Sequence, residues 1–175
     1  MEIKTEYTIW MIPTGYAYAR LISIIEELSR KFGTLRFEPH VTLLGEILLP
    51  KKEVLDKTRR LTELISSFEI SLFDIGHSNQ YFKCLFLNAE KSPDLMEAGR
   101  KARRVFGRDE PYEPHLSLLY GNIDDDVKKE IEEELNVEYK NLRFGVHALH
   151  LFSAPRDSEW PSSVRFTSIA EFGLK

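Results

Sequence analysis

The stretch "FEPHVTLLGEI", residues 37–47, returns almost unchanged as "YEPHLSLLYGNI", residues 112–123. Eight consecutive positions agree in type: aromatic, Glu, Pro, His, apolar, hydroxyl, Leu, Leu. Side chains alternate between the faces of a strand. His40 and Thr42 therefore share one face, with Val41 and Leu43 on the other. His115 and Ser117 likewise stand opposite Leu116 and Leu118. Pro39 and Pro114 place each His at the start of its strand, where Pro costs no ladder bond. Each strand thus offers an imidazole beside a small hydroxyl, backed by apolar packing.

Working outward, strand and helix signals alternate. "EYTIWMIP" (6–13) reads as a strand. "YARLISIIEELSRKFG" (18–33) reads as a helix with Leu21, Ile24, Ile25 and Leu28 on one face and Gly33 as its stop. "PKKEVLDKTRRLTELISSF" (50–68) carries a stripe of Val54, Leu55, Thr58, Leu61, Leu64 and Ile65. "EISLFDIG" (69–76) and "YFKCLFLNA" (81–89) read as antiparallel strands around the loop "HSNQ". "SPDLMEAGRKARRVFG" (92–107) reads as a helix capped by Ser92 and stopped by Gly107. The acid-led "IDDDVKKEIEEEL" (123–135) suits a helix whose first turn is negative. "LRFGVHALHLFSA" (142–154) and "VRFTSIAEFG" (164–173) close the chain as single strands, and "APRDSEWPSS" (154–163) reads as a surface loop.

The order βαβαββαβαββ divides into two similar halves, with His40 and His115 lying 75 positions apart in a chain of 175. The expected fold is α+β: one domain over 1–175, built from two pseudo-symmetric lobes whose antiparallel sheets line a central groove, with helices outside. "RKARR" (100–104) and "EIEEEL" (130–135) read as solvated helix faces.

Composition limits the function classes. A formal net charge of −4 and a pI near 5.8 argue against a protein that grips long nucleic acid, which needs a basic stripe to displace phosphate counterions. They do not argue against a single nucleotide. The lone Cys84 permits no intramolecular disulfide, and lies in an apolar run as a small core residue. No apolar stretch reaches the about 18 residues that a membrane span needs. "MEIKTEYTIW" has no basic region followed by a long apolar one. A monomer in the cytoplasm or nucleus is expected, with no membrane partner.

The two faces, brought together by the pseudo-symmetry, surround one small space with two imidazoles and two hydroxyls. The hydroxyls can donate to phosphate oxygens. The imidazoles can flank phosphorus, one as base toward water and one as acid toward the departing oxygen; histidine suits both roles. The pattern does not say which ring takes which role. No metal or cofactor is needed. A cluster of both histidines with Glu38 and Glu113 is the weaker, metal-binding alternative. His77, in a loop, and His147 and His150, on opposite faces of one strand, carry no assigned role.

"PHVTL" and "PHLSL" resemble the paired H-x-[ST]-apolar motifs of the 2H phosphoesterase superfamily, and within it the cyclic phosphodiesterase family of plants and fungi. "YTIWMIP", "FGTLRFEPHVTL", "YFKCLFL", "MEAGRKARRVF" and "PYEPHLSLLYG" extend the resemblance over nearly the whole chain. It implies metal-independent hydrolysis of a small cyclic phosphate on ribose: ADP-ribose 1″,2″-cyclic phosphate from tRNA splicing, or nucleoside 2′,3′-cyclic phosphates. It implies catalytic His40 and His115, phosphate-holding Thr42 and Ser117, a nearby Tyr120, and Trp10 and Phe82 beside the substrate. By pattern alone Trp10 and Phe82 fit a core equally well. Tyr120 has the wrong parity for the cavity face unless a bulge or the turn at Gly121 returns it. The loop "HSNQY" is a candidate for setting substrate range. An RNA 2′,5′-ligase or 3′-end phosphodiesterase of the same superfamily, or a module binding nucleotides without turnover, are the alternatives.

Overall fold

The computed structural model describes residues 4–136, 138–139 and 141–175. The first three residues of the segment read for a targeting sequence lie outside the described residues. The elements run β1 (Lys4–Met11), α1 (Gly15–Phe32), β2 (Val41–Ile47), α2 (Lys51–Leu64), β3 (Phe68–His77), a 3₁₀ turn (Tyr81–Lys83), β4 (Leu85–Ala89), α3 (Pro93–Phe106), β5 (His115–Leu119), α4 (Asp125–Asn136), β6 (Leu142–Val146), β7 (Ala148–Arg156) and β8 (Thr167–Gly173).

The helices form where apolar residues recur on one face and stop where a residue can turn the chain. On α1, Leu21, Ile24, Ile25 and Leu28 are buried, and Gly33 closes the helix in the left-handed region at φ 64°. On α3, the Ser92 hydroxyl accepts from the Leu95 N–H at 3.3 Å, and Gly107 turns the chain at φ 68°. The α2 stripe is shorter than its periodicity predicts. Leu64 is exposed because the helix ends there, and Ile65, in extended backbone, takes its place in the core.

The strands form one antiparallel sheet in the order β6-β3-β4-β5-β2-β1-β7-β8. It divides into β2-β1-β7-β8 and β5-β4-β3-β6, the two lobes expected from the repeat. They meet at β2 and β5, where Val41 pairs with Leu116. The lobes are not the consecutive halves predicted. β3 joins the second motif's lobe, while β7 and β8 join the first motif's. The reason is a break in the segment 142–154, expected as one strand. Leu142–Val146 pairs with β3, and the chain leaves that edge at His147 to pair Ala148–Arg156 with β1. A Cβ at Gly145, just before the corner, would come within 2.6 Å of His147 Nε2.

Helices cross the seam in the same way. α1 precedes the first motif but packs on β5 and β6; α3 precedes the second but packs on β2 and β3. Here "RKARR" departs from a solvated face. Arg103 donates from Nη1 to the carbonyls of Leu43 and Gly99, donates from Nε to that of Glu110, and stacks on Tyr112. Cys84 is fully buried in the core. Among the described residues no helix is long and apolar enough to cross a membrane.

Candidate active site

The seam fixes how the two motifs meet. Continued one residue to either side of Val41–Leu116, the antiparallel register sets His40 across from Ser117 and Thr42 across from His115. All four line one cavity of about 480 Å³. The two rings are held alike. Nδ1 of His40 donates to the Glu38 carbonyl at 2.7 Å, and Nδ1 of His115 donates to the Glu113 carbonyl at 2.9 Å. A carbonyl can only accept, so each neutral ring carries its proton on Nδ1 and leaves the Nε2 lone pair free. Burial lowers the His40 imidazole to about 3, opposed by the Glu38 carbonyl and helped by His115. Burial also lowers His115; its bond to the Glu113 carbonyl opposes, and Lys83 adds to the depression.

The hydroxyls differ. Ser117 Oγ donates to the Phe82 carbonyl at 2.5 Å, so its proton is engaged. Thr42 Oγ1 has no such bond among the described residues, while its backbone carbonyl accepts from Tyr112 Oη at 2.8 Å. The aromatic three residues before each His reaches across the seam: Tyr112 binds β2 in this way, and Phe37 stacks on Tyr120 at 3.7 Å.

Trp10 pairs with Thr42 in the β1–β2 ladder and therefore shares the cavity face. Its indole is 2% exposed. One face lies on His40 at 3.6 Å and the other on Phe152 at 4.1 Å, so an edge rather than a free face is left for the cavity. Phe82 is half-buried in the 3₁₀ turn and meets Tyr120, Trp160 and Phe166. Tyr120 lines the cavity too. Its parity is restored by a bulge: Phe86 pairs with Ser117 but Leu85 with Leu119, so β5 carries one extra residue between them.

Several cavity residues escape the sequence reading. Arg156 pairs with Glu6 and lies 3.9 Å from Glu46, and its guanidinium sits over Trp160. Trp160 and Pro161 belong to "APRDSEWPSS", which is therefore more than a surface loop: it forms part of the wall. Gln80, Tyr81 and Lys83, within or beside "HSNQY", line the cavity too. Nothing in strand periodicity marks these residues, because none lies on the two motif strands. The carboxylates proposed as metal ligands are engaged elsewhere. Glu38 accepts from Tyr18 Oη at 2.7 Å, and Glu113 pairs with Lys91 at 2.8 Å. Among the described residues no three metal-ligating side chains converge. His77 ends β3 rather than lying in a loop, and its Nδ1 is 2.6 Å from Glu132.

Comparison with known proteins gives the family. The chain is 28% identical over 156 residues to a cyclic phosphodiesterase of Arabidopsis thaliana, covering 86% of each. It is 30% identical over 131 residues to a 2′,3′-cyclic-nucleotide 3′-phosphodiesterase of Phaeosphaeria nodorum, covering 65% of this chain and 67% of that one. Its fold matches E. coli LigT with a TM-score of 0.65 over 99% of each chain at 15% identity. Residues 19–158 match the family described as the 2′-5′ RNA ligase superfamily. With its H-x-[ST] motifs paired across one cavity, the chain belongs to that superfamily, the 2H phosphoesterases.

Proposed function

We propose that this chain is a cyclic phosphodiesterase that opens five-membered cyclic phosphates on ribose, by acid–base catalysis from His40 and His115. One observation carries the reading: a buried imidazole, His40, and a half-buried one, His115, each tied at Nδ1 to the carbonyl two residues back, share one cavity with two hydroxyls. The names of the Arabidopsis and Phaeosphaeria relatives point to the same activity. Water attacks phosphorus as one Nε2 takes its proton. The ring P–O bond breaks, and the other ring, entering as imidazolium, protonates the departing ribose oxygen. The product is a phosphomonoester.

The electrostatics suit this cycle. Empty, the cavity keeps both rings neutral, because burial disfavours the cation. A bound phosphate anion opposes that depression and allows one ring to hold the acid's proton. Thr42 Oγ1 is free to donate to a phosphate oxygen. Ser117 Oγ must release the Phe82 carbonyl to do so, and otherwise holds the 3₁₀ turn in place. Since side chains supply both proton transfers, no metal enters the scheme. The aromatic wall suits a nucleoside, and ADP-ribose 1″,2″-cyclic phosphate and nucleoside 2′,3′-cyclic phosphates are the substrates expected.

The test is to incubate the protein in chelator with each of these compounds and identify the products. Ring opening with a bell-shaped pH dependence is expected. Removing either imidazole (His40→Ala, His115→Ala) is expected to cost on the order of 10²- to 10⁴-fold in kcat. Undiminished turnover in either variant would refute the two-histidine scheme, and tight binding without product would favour a binding module.

A further inference from the structure

The cavity holds two cations, and they differ. Arg156 is neutralised by Glu6, with Glu46 close by. Lys83 lines the same cavity, and among the described residues no carboxylate pairs with it. Glu113, the acid nearest His115 in sequence, is taken by Lys91. Lys83 Nζ lies 4.5 Å from the centroid of Phe86, whose ring meets His115 edge-on at 5.6 Å. An ammonium and an imidazole are thus brought to one side of the cavity, and the carboxylate that acts on both, Glu113, is itself held by Lys91.

The backbone under Lys83 is fixed. Its N–H donates to the Gln80 carbonyl at 3.0 Å, and its own carbonyl accepts from Ser78 Oγ at 2.5 Å. Ser78 is held in turn, since its carbonyl accepts from the buried Lys128 Nζ at 2.8 Å. The next residue back, Phe82, is bonded to Ser117. Lys83 therefore starts from a braced turn and not from a free loop. A preorganised, unpaired cation beside an acid–base residue fits an anion that arrives with the substrate.

Resting on the cyclic-phosphate reading, we propose that Lys83 is a further substrate-binding residue. Its ammonium contacts an anionic oxygen of the reacting phosphate on the His115 side, beyond what the two hydroxyls supply. One fixed cation serves one phosphate group, which matches a small cyclic phosphate better than a polynucleotide backbone.

The experiment follows inorganic phosphate by NMR, through the ring resonances of His40 and His115, in wild type, Lys83→Met and Lys83→Arg. Met keeps the apolar contact with Phe86 and removes the charge. Lys83→Met is expected to weaken phosphate binding about tenfold or more, the size of a lost charged hydrogen bond. Lys83→Arg is expected to recover most of it. The groups facing His115 are Lys83 from the turn, Glu113 on its own segment and His40 from just before β2. Without Lys83, the His115 titration moves upward. Weakened binding in Lys83→Met supports the proposal even if no cyclic phosphate is turned over, an outcome that would count against the hydrolase reading alone. Equal binding by wild type and Lys83→Met, or none by wild type, overturns it.

Discussion

The indole of Trp10 lies flat on the imidazole of His40, with centroids 3.6 Å apart and planes 7° from parallel. Phe152 closes the other side of the indole. The stack removes one rotational freedom of the imidazole, and the Nδ1 bond to Glu38 removes another. Trp10→Leu is expected to lower kcat on the order of 10²-fold, because a small misplacement of an acid–base group is costly. It also admits water, so the His40 titration should move up from about 3. Trp10→Phe keeps an aromatic face and should lose less. An unchanged His40 titration in Trp10→Leu would show that the indole does not control this ring.

Acid should unfold the protein partly through His40. Its folded value lies near 3, below its ordinary 6.5. Between these values the unfolded chain takes up a proton that the folded chain refuses. Stability is therefore fully present above about 6.5 and falls as pH drops toward 3, by up to about 1.4 kcal/mol per pH unit. His40→Asn removes this contribution but leaves the carboxylates and His115. Denaturant melts at pH 7 and pH 5 should show a smaller acid loss in the variant. Parallel losses in both proteins would mean that His40 is not held neutral by burial.

The two hydroxyls should separate stability from turnover. Ser117 is 5% exposed and holds the Phe82 carbonyl. Ser117→Ala leaves that acceptor unpaired, and is expected to cost about 1–3 kcal/mol of stability together with activity. Thr42→Val keeps the shape and removes an oxygen with no hydrogen-bond partner among the described residues, so it should reduce turnover and leave stability within about 0.5 kcal/mol of wild type. Equal destabilisation by both would contradict this asymmetry.

The repeat at residues 37–47 and 112–123 was enough to place His40, Thr42, His115 and Ser117 on one face, because strand parity needs only local sequence. It was also enough for two lobes. It did not reveal their interleaving. That depends on the corner at His147, which sends β6 and β7 to different neighbours, and pairing partners leave no mark on a strand's own periodicity. Tyr120 shows the same limit in small. Whether it faces the cavity turns on one extra residue in β5, a property of the β4–β5 register. Arg156, Trp160 and Lys83 reach the cavity from a strand end, a loop and a 3₁₀ turn, where no pattern of two or 3.6 applies. Arg103 hid in a basic run because charge alone does not distinguish a solvated arginine from one that binds three carbonyls.

The seam itself is open to a test away from the histidines. Gly99 on α3 lies against the Tyr112 ring, and a Cβ there would overlap the ring carbons. Tyr112 in turn binds the Thr42 carbonyl and lies under Arg103. Burial raises the phenol well above its ordinary value, against the pull of Arg103, so it remains a donor at working pH. Gly99→Ala must displace that ring, and overpacking of this kind costs typically about 1–3 kcal/mol. The shift also loosens the bond to Thr42, so kcat should fall together with the denaturation midpoint. Tyr112→Phe keeps the ring and deletes only the hydroxyl, leaving the Thr42 carbonyl short of a donor. It should cost less than Gly99→Ala in both measurements, on the order of 1 kcal/mol in stability. If Gly99→Ala melts like wild type while Tyr112→Phe does not, the ring has room to move, and α3 is not what holds the second motif against the first.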